Sequence, residues 1–128
     1  MSSLTSNSMR LMEKSMQFLW AKQTAHMDNI ANAETPGYKV KTVTFEEAFD
    51  TRLRAAMRKG YGSRKAIRDV IESSSWRVDE DDEITRMDEN GVNVTEQMLE
   101  SVRTAYQLQY VYRAVSSDLT TLNTAISG

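Results

Sequence analysis

The sequence predicts a mainly α-helical protein, in which two long terminal helices pack as a coiled-coil-like hairpin and the middle is irregular, partly extended and mobile. Three observations carry this prediction. Apolar residues recur at alternating intervals of three and four near both ends, a single proline ends the first of these runs, and charged residues crowd the stretch between them. A three-four spacing is typical of helices that share an apolar seam. The expected division is 1–50 for the N-terminal helix, turn and extended arm, 51–88 for a charged flexible segment, and 89–128 for the C-terminal helix.

Composition restricts the class of protein. The 128 residues suit one domain, and 40% hydrophobic with 27% charged residues is typical of a soluble chain. No apolar run approaches the roughly 20 residues of a membrane span. The chain has no cysteine, which excludes disulfides and thiol chemistry. Residues 1–7 lack the charge and apolar core of a signal peptide, so the residues alone predict a cytoplasmic protein.

The first apolar run predicts a helix from about Thr5 to Asn32, roughly 40 Å long at 1.5 Å per residue. Methionines at helical spacing predict flexible packing rather than a metal site. His26 is the single histidine and lies on the seam without nearby acidic or cysteine ligands, which predicts a structural role. The seam of this helix is expected at Met9, Met12, Met16, Leu19, Gln23, His26, Ile30 and Ala33.

A proline-glycine turn is expected to end this helix. Thr35 precedes proline and is therefore pushed out of the α region. Pro36 and Gly37 supply the backbone angles of the second and third positions of a type II turn.

Two asparagines precede the turn. Asn29 and Asn32 are three residues apart, so they are expected to present two amides on one face of the last helical turns. The small residues Ala31 and Ala33 leave room for another helix to approach closely.

The middle of the chain is expected to be extended and then mobile. Residues 40–49 alternate only partly, which fits a short strand or an irregular arm equally well. Residues 52–68 hold seven Lys and Arg residues and no acid, and an acidic run follows at 79–83 and at 88–89. This segregation predicts a solvated or inter-subunit face, with a small nucleic-acid-binding module that uses Arg52–Arg68 as the alternative from a different class. Trp76 is the expected anchor of the segment.

The C-terminal region predicts the second long helix. Asn90-Gly91 is a turn signal, and Asn93 followed by Glu96 is similar to a capping box. Charge is sparse after Arg113, which suits burial against other subunits. The three-four pattern runs through Met98, Ser101, Ala105, Leu108, Tyr112, Val115, Leu119, Leu122 and Ile126.

The stretch from residue 29 to residue 39 resembles the signature of flagellar rod, hook and hook-associated proteins, the axial proteins of the bacterial flagellum. The resemblance covers eleven consecutive residues: Asn29, Ile30, Ala31, Asn32, Ala33, Glu34, Thr35, Pro36, Gly37, Tyr38 and Lys39. The family introduces its C-terminal helix with a pattern close to Asp-Gly-Asn-x-Val-Asp-x-x-x-Glu-Met. Four positions match it, Asp88, Asn90, Val92 and Met98, whereas Glu89, Asn93 and Gln97 depart from it.

The resemblance implies a structural subunit of the flagellar basal-body rod that self-assembles through its terminal helices. Distal rod and hook proteins insert β-rich domains that residues 40–88 are too few to form, so the chain is most similar to the short proximal rod proteins. The implied partners are other rod subunits, the adaptor joining rod to membrane ring, and the flagellar type III export apparatus, with export that needs no cleaved signal. The implied assembly seam comprises Met12, Met16, Leu19, Ile30, Met98, Ala105, Leu108, Tyr112, Val115, Leu119, Leu122 and Ile126.

No enzymatic chemistry is expected. The sequence offers no serine, histidine and acid constellation, no metal-ligand cluster and no phosphate-binding loop. We therefore predict no catalytic, metal or cofactor-binding residues.

Overall fold

A computed structural model describes residues 6–46, 48–58, 60, 63–81 and 93–127. The fold is mainly helical, with a long N-terminal and a long C-terminal helix, as the sequence predicted. In chain order the elements are α1 (Asn7–Ala31), β1 (Val40–Phe45), α2 (Phe49–Met57), α3 (Ser63–Ser73), β2 (Trp76–Asp81) and α4 (Val94–Ser127).

Helix α1 begins two residues later than predicted because Ser6 is its N-cap. The Ser6 Oγ accepts a hydrogen bond from the backbone N–H of Met9 at 3.0 Å, which satisfies one of the free donors of the first turn. The helix ends at Ala31, one residue before the predicted end. At the other end of the chain, the Asn93 Oδ1 accepts from the backbone N–H of Glu96 at 3.1 Å, so the predicted cap opens α4.

Helix α4 packs mainly on α1. The start of α4 meets the end of α1, where His26 lies 2.9 Å from Gln97. The middle of each helix meets the middle of the other, since Leu19 and Tyr106 line one groove. The two helices therefore run antiparallel. The covered face of α4, meaning its buried and half-buried residues, comprises Gln97, Glu100, Ser101, Thr104, Leu108, Val111, Ala114, Val115, Ser116, Asp118 and Leu122.

A two-stranded antiparallel sheet lies beside α1. β1 pairs with β2 in a register that places Val40 opposite Asp81 and Phe45 opposite Trp76. Of the two interpretations left open for residues 40–49, the strand is the one observed. The Phe45 ring joins the sheet to the helices, with its centroid 5.4 Å from that of Phe18 and 5.0 Å from that of Phe49.

The described part of segment 51–88 is not irregular, contrary to the sequence-based expectation. It contains most of α2, all of α3 and the strand β2. Helix α3 forms because Ile67, Val70 and Ile71 recur at three and four residues and face inward, which leaves Ile71 only 2% exposed. The high charge of this segment concealed that pattern, because Arg64, Lys65, Arg68 and Asp69 stand among the apolar residues in the sequence. Mobility of the segment stays a prediction.

Helix α3 also contacts the first turns of α1. The Asn7 side chain donates to the backbone carbonyl of Arg64 at 2.9 Å, and Arg10 forms an ion pair with Glu72. The buried apolar side chains of the described residues are Met9, Leu19, Ala25, Val40, Val43, Ala56 and Ile71.

Several predicted features lie outside the described residues. These are the turn at Asn90-Gly91, the acids from residue 82 onward in the charge run, the family positions 88–92, and the polar start before residue 6. Within the described ranges, no helix is long and apolar enough to cross a lipid bilayer.

Candidate functional site

The end of α1 places the two asparagines of the family motif in different environments. Asn29 is fully buried, at 0% exposure, whereas Asn32 is half-buried and forms the C-cap of the helix. The Asn32 side chain donates to the backbone carbonyl of Asp28 at 2.9 Å and accepts from the Thr35 hydroxyl at 3.2 Å. Asn32 therefore closes the helix locally, and Asn29 points into the protein.

The Asn29 amide uses its full hydrogen-bonding capacity. Its Nδ2 donates to the Lys41 carbonyl at 2.8 Å and to the Gln97 Oε1 at 3.2 Å. Its Oδ1 accepts from the Lys41 backbone N–H at 2.9 Å and from the Tyr38 hydroxyl at 3.0 Å. A side-chain amide has two donor hydrogens and two acceptor lone pairs, and all four are engaged. Asn29 thus joins α1, the turn, β1 and α4 through one buried group.

The pair of bonds between Asn29 and Lys41 resembles the pairing of two strands. The amide meets both the N–H and the carbonyl of one residue of β1, on the side that faces away from β2. A buried strand edge without such partners would leave two backbone groups unsatisfied, at about 1–3 kcal/mol each. The motif asparagine therefore closes the inner edge of β1 at this position.

Gln97 connects the start of α4 to the end of α1. Its Oε1 lies 3.2 Å from the Asn29 Nδ2 and 2.9 Å from the His26 Nδ1. The two bonds to the Lys41 backbone fix which atom of the Asn29 amide is nitrogen and which is oxygen. Because the Asn29 Nδ2 donates towards Gln97, the Gln97 atom that it meets must be the oxygen. That oxygen in turn requires a hydrogen on the His26 Nδ1, which fixes the histidine tautomer.

The contacts that Gln97 makes to Asn29 and His26 fit either glutamine or glutamate. Both contacts made by its side chain to Asn29 and His26 use the oxygen alone. A glutamate, which the family carries at the matching position, would supply the same acceptor. Comparison with the family pattern identified position 97 as a difference. Nothing in the sequence indicated that the Gln97 side chain would contact His26 and Asn29, some seventy positions upstream.

The proline-glycine turn brings Tyr38 back to the helix. Gly37 has a φ of +74°, and the Tyr38 backbone N–H donates to the Thr35 carbonyl at 3.2 Å, as a type II turn requires. The turn at 35–38 is therefore confirmed. Its geometry returns the tyrosine hydroxyl to Asn29, nine residues earlier.

Two titratable groups of this cluster have displaced pKa values. Burial raises the pKa of the Tyr38 phenol, because the charged phenolate is poorly solvated there. The hydrogen bond to Asp28, reinforced by the charge of that carboxylate, raises the pKa of the Lys41 ammonium. The Lys41 Nζ lies 3.2 Å from the Asp28 Oδ2. Both groups are therefore held in their protonated forms.

A second feature is a broad apolar surface on α4 that the chain leaves exposed. Two of its tyrosines, Tyr106 and Tyr110, are 70% and 76% exposed. Exposed apolar side chains grouped on one helix form a candidate contact surface for another macromolecule. The exposed apolar surface of α4 comprises Val94, Met98, Leu99, Val102, Tyr106, Tyr110, Tyr112, Leu119 and Ile126.

The exposed apolar surface of α4 continues into a groove between α1 and α4. The groove has a volume of about 490 Å³, and its walls are mostly apolar. Its lining comprises Ser15, Phe18, Leu19, Tyr106, Gln107, Tyr110 and Val111.

The residues of the predicted assembly seam fall into two groups. Leu19 is buried and the others of its group are half-buried, namely Met12, Met16, Ile30, Leu108, Val115 and Leu122. The remaining five are exposed in the single chain: Met98, Ala105, Tyr112, Leu119 and Ile126. The sequence did not indicate that Thr104, which is fully buried, would lie on the covered face of α4. The assembly role of the seam stays a prediction.

The cations of Arg52–Arg68 are only partly available to a ligand. Arg52 forms an ion pair with Glu46, and Arg54 forms one with Asp50 at 3.1 Å. Arg64 and Lys65 remain exposed on α3. Among the described residues, the acids that pair with Arg52 and Arg54 lie next to α2 and within it.

Among the described residues, no group of three or more His, Asp or Glu side chains could hold a metal ion. A comparison with protein-family models finds no match for this chain, and a search of curated proteins finds none either. The family resemblance therefore rests on the motif residues themselves.

Proposed function

We propose that this chain is a structural subunit of the bacterial flagellar basal-body rod, of the proximal rod type and most similar to FlgB. In this role it is exported without a cleaved signal peptide through the flagellar type III apparatus. Copies then assemble through their terminal helices into the hollow drive shaft that transmits torque and surrounds the export channel.

The observation that carries the proposal is the eleven-residue motif together with the contacts that its residues make. Asn29 satisfies an edge of β1 and reaches α4, Tyr38 returns to Asn29, and Pro36-Gly37 forms the turn that permits this return. Each of these residues therefore has a structural reason to be of its type. This supports the interpretation of the resemblance as a shared way of closing the end of the first helix.

The exposed apolar surface of α4 supports the assembly part of the proposal. We infer that α1 and α4 form a coiled-coil-like hairpin, because the covered positions on α4 include an unbroken three-four run from Gln97 to Leu122. One partner helix covers only one stripe of α4, so its exposed apolar surface remains for neighbouring subunits. Heterologous contacts of this kind continue from copy to copy and build a helical tube.

The short middle of the chain supports the proximal rod type. Residues 40–88 form a two-stranded sheet and two short helices in their described part, with no further domain there. Within the family, the alternative is the other short proximal rod protein. The implied neighbours are other rod subunits, the adaptor between rod and membrane ring, and the export apparatus.

The direct test is to locate the protein in purified basal bodies. A strain lacking the gene should not swim, and an epitope-tagged copy should restore swimming. Electron microscopy with an antibody to the tag should then place the label at the base of the rod, beside the membrane ring. Normal motility of the deletion strain, or label absent from basal bodies of the complemented strain, would contradict the proposal.

A further inference from the structure

Among the described residues, the outer edge of β2 pairs with no other strand. In β1, the N–H and carbonyl of Lys41 point away from β2 to Asn29, so Lys41 and Glu80 form a non-hydrogen-bonded pair of the ladder. Hydrogen-bonded and non-hydrogen-bonded pairs alternate along an antiparallel ladder. Trp76, Val78 and Glu80 therefore all belong to non-hydrogen-bonded pairs, and their backbone N–H and carbonyl groups point away from β1. Among the described residues, no hydrogen bond reaches these outward groups.

We propose that this edge pairs with the same edge of a second copy of the chain, antiparallel and centred on Val78. In this register Val78 faces its own counterpart, and Trp76 faces Glu80 of the other copy. The outward groups of both strands then meet each other along the whole contact. The surface is complementary to itself, as a two-fold interface requires.

Charge favours this register over its neighbours. Centred on Val78, Arg77 of each copy lies opposite Asp79 of the other, at the close non-hydrogen-bonded positions. A shift of two residues one way places Arg77 opposite Arg77. A shift the other way places Asp79 opposite Asp79, although it also places Arg77 opposite Asp81. A shift of one residue misaligns the hydrogen-bonding groups. Charged residues usually protect an edge strand from pairing, whereas in the register centred on Val78 no like charges face each other among residues 76–80.

Val78, at the centre of the proposed contact, would become more buried in the dimer. Val78 is 52% exposed, although its side chain lies on the same face of the sheet as Val43, which is buried. Pairing would place two valines together on the two-fold axis. A single strand is a smaller contact than the roughly 1,200–2,000 Å² of a stable complex, so the dimer is weak and transient. A two-fold pair does not propagate, so the dimer is a state of the free chain and stands apart from the proposed rod assembly.

Disulfide trapping tests the register, because the natural chain has no cysteine. A hydrogen-bonded antiparallel pair has its Cα atoms about 5.5 Å apart, within the range that a disulfide spans. Full-length Val78→Cys should therefore form a covalent dimer under mild oxidation, reversible by reductant. Thr51→Cys is the matched control, because Thr51 is exposed on α2 and lies outside both β2 and the exposed apolar surface of α4. Cross-linking of Val78→Cys that is no faster than that of Thr51→Cys would overturn the proposal.

Charge reversal gives an independent readout by sedimentation. Arg77→Asp and Asp79→Arg should each weaken self-association by about tenfold or more, because two-fold symmetry repeats each new repulsion. The double variant, with both residues exchanged, should restore it. Arg77 and Asp79 also pair within one chain, at 2.9 Å, but loss of that pair alone would not change the oligomeric state. Unchanged self-association of both single variants would overturn the proposal.

Discussion

At the scale of residues, a single buried amide explains several of the residue types in the stretch from Asn29 to Lys41. Asn29 makes four hydrogen bonds at 0% exposure, and its partners come from the turn, from β1 and from α4. Only a side chain with donors and acceptors side by side can pair with both groups of the Lys41 backbone. Asparagine is therefore required at this position by geometry, independently of any role in assembly.

Asn29→Asp tests this requirement with a nearly isosteric change. The new oxygen would face the Lys41 carbonyl and the Gln97 oxygen, so two acceptors would repel it inside the protein. We expect the free energy of unfolding to fall by about 2–4 kcal/mol, the usual range for a buried polar group that loses its partners. Urea unfolding followed by circular dichroism measures the change.

Asn32→Asp is the matched control for that substitution. Asn32 is half-buried, and an aspartate there would still accept from the Thr35 hydroxyl while losing the bond to the Asp28 carbonyl. Its effect should be clearly smaller than that of Asn29→Asp. Equal losses of stability would show that the buried amide is not the centre of the cluster.

The pKa values of Tyr38 and Lys41 predict a loss of stability in alkali. Both are raised, Tyr38 from an ordinary value of 10.0 by burial and Lys41 from 10.5 by its bond to Asp28. A raised pKa means that the folded state holds its proton more tightly than the unfolded chain. The contribution of each group to the free energy of unfolding is therefore complete below its ordinary pKa. It is lost as the pH rises through the raised pKa of the folded state.

The free energy of unfolding should accordingly decline as pH rises above 10.0, where unfolded Tyr38 begins to ionise. An ionised Tyr38 can no longer donate to the Asn29 Oδ1. Tyr38→Phe should be less stable at neutral pH and should lose less in alkali than the natural chain. A pH series of urea unfolding curves checks this, and identical alkaline losses in the two proteins would contradict it.

The sequence identified residues of this cluster but did not predict the contacts between them. The turn at Thr35–Tyr38 was predictable because its chemistry is local, and so was the cap at Asn93. The partner of Asn29 on α4 was not, because Gln97 lies 68 residues away and a polar residue there gives no periodic signal.

At the scale of elements, α4 shows why a seam is hard to predict from periodicity. Two three-four registers overlap in this helix and share Ser101, Leu108, Val115 and Leu122. The more apolar register was predicted, but the covered face contains every position of the other register, including polar Gln97 and Thr104. Gln97 suits that face because it contacts the Asn29 cluster, whereas the Thr104 hydroxyl has no hydrogen-bond partner among the described residues. The apolar remainder is left exposed.

The strand β2 was missed for a related reason. Its partner β1 precedes it by more than thirty residues, and strand pairing over such a distance leaves no local pattern. Residues 76–81 are also charged, which is unusual for a strand except at an edge.

The arrangement of charge on α2 and α3 predicts only weak binding to nucleic acid. Arg52 and Arg54 are engaged by Glu46 and Asp50, so the basic stretch offers less free charge than its sequence suggests. Duplex DNA should bind without sequence preference, with a dissociation constant on the order of 10⁻⁶–10⁻⁴ M or weaker at physiological salt. Fluorescence anisotropy with a labelled duplex measures it.

Changing Arg64 and Lys65 to glutamate is the accompanying control, because both side chains are exposed on α3. Submicromolar binding at physiological salt that these changes abolish would revive the nucleic-acid-binding alternative.

At the scale of the whole molecule, the described part of the chain buries few apolar side chains and exposes many. The described core is a short set of residues around α1, the sheet and α3, whereas α4 presents large apolar groups along most of its length. A helix with apolar side chains on several faces gains stability from packing, and one partner helix covers one face. The proposed assembly would cover the rest.

Leu119 offers a way to separate folding of the chain from its assembly. It is 51% exposed in the single chain, so Leu119→Asp should change the free energy of unfolding by no more than about 0.5 kcal/mol. In a packed rod the same side chain would be buried, and an unpaired carboxylate there should cost several kcal/mol. Leu119→Asp cells should therefore make and export a folded protein, yet build no rod and fail to swim.

Leu122→Asp should have the same effect on motility and a larger one on the single chain, because Leu122 is half-buried against α1. Thr121→Asp is the control: Thr121 is exposed and lies two positions from Leu119, on a different side of the helix, so its effect should be milder. Swimming assays and electron microscopy of basal bodies compare the three variants. Normal motility in a strain carrying both leucine substitutions would show that this end of α4 is not packed in an assembly, and the rod proposal would lose its mechanism.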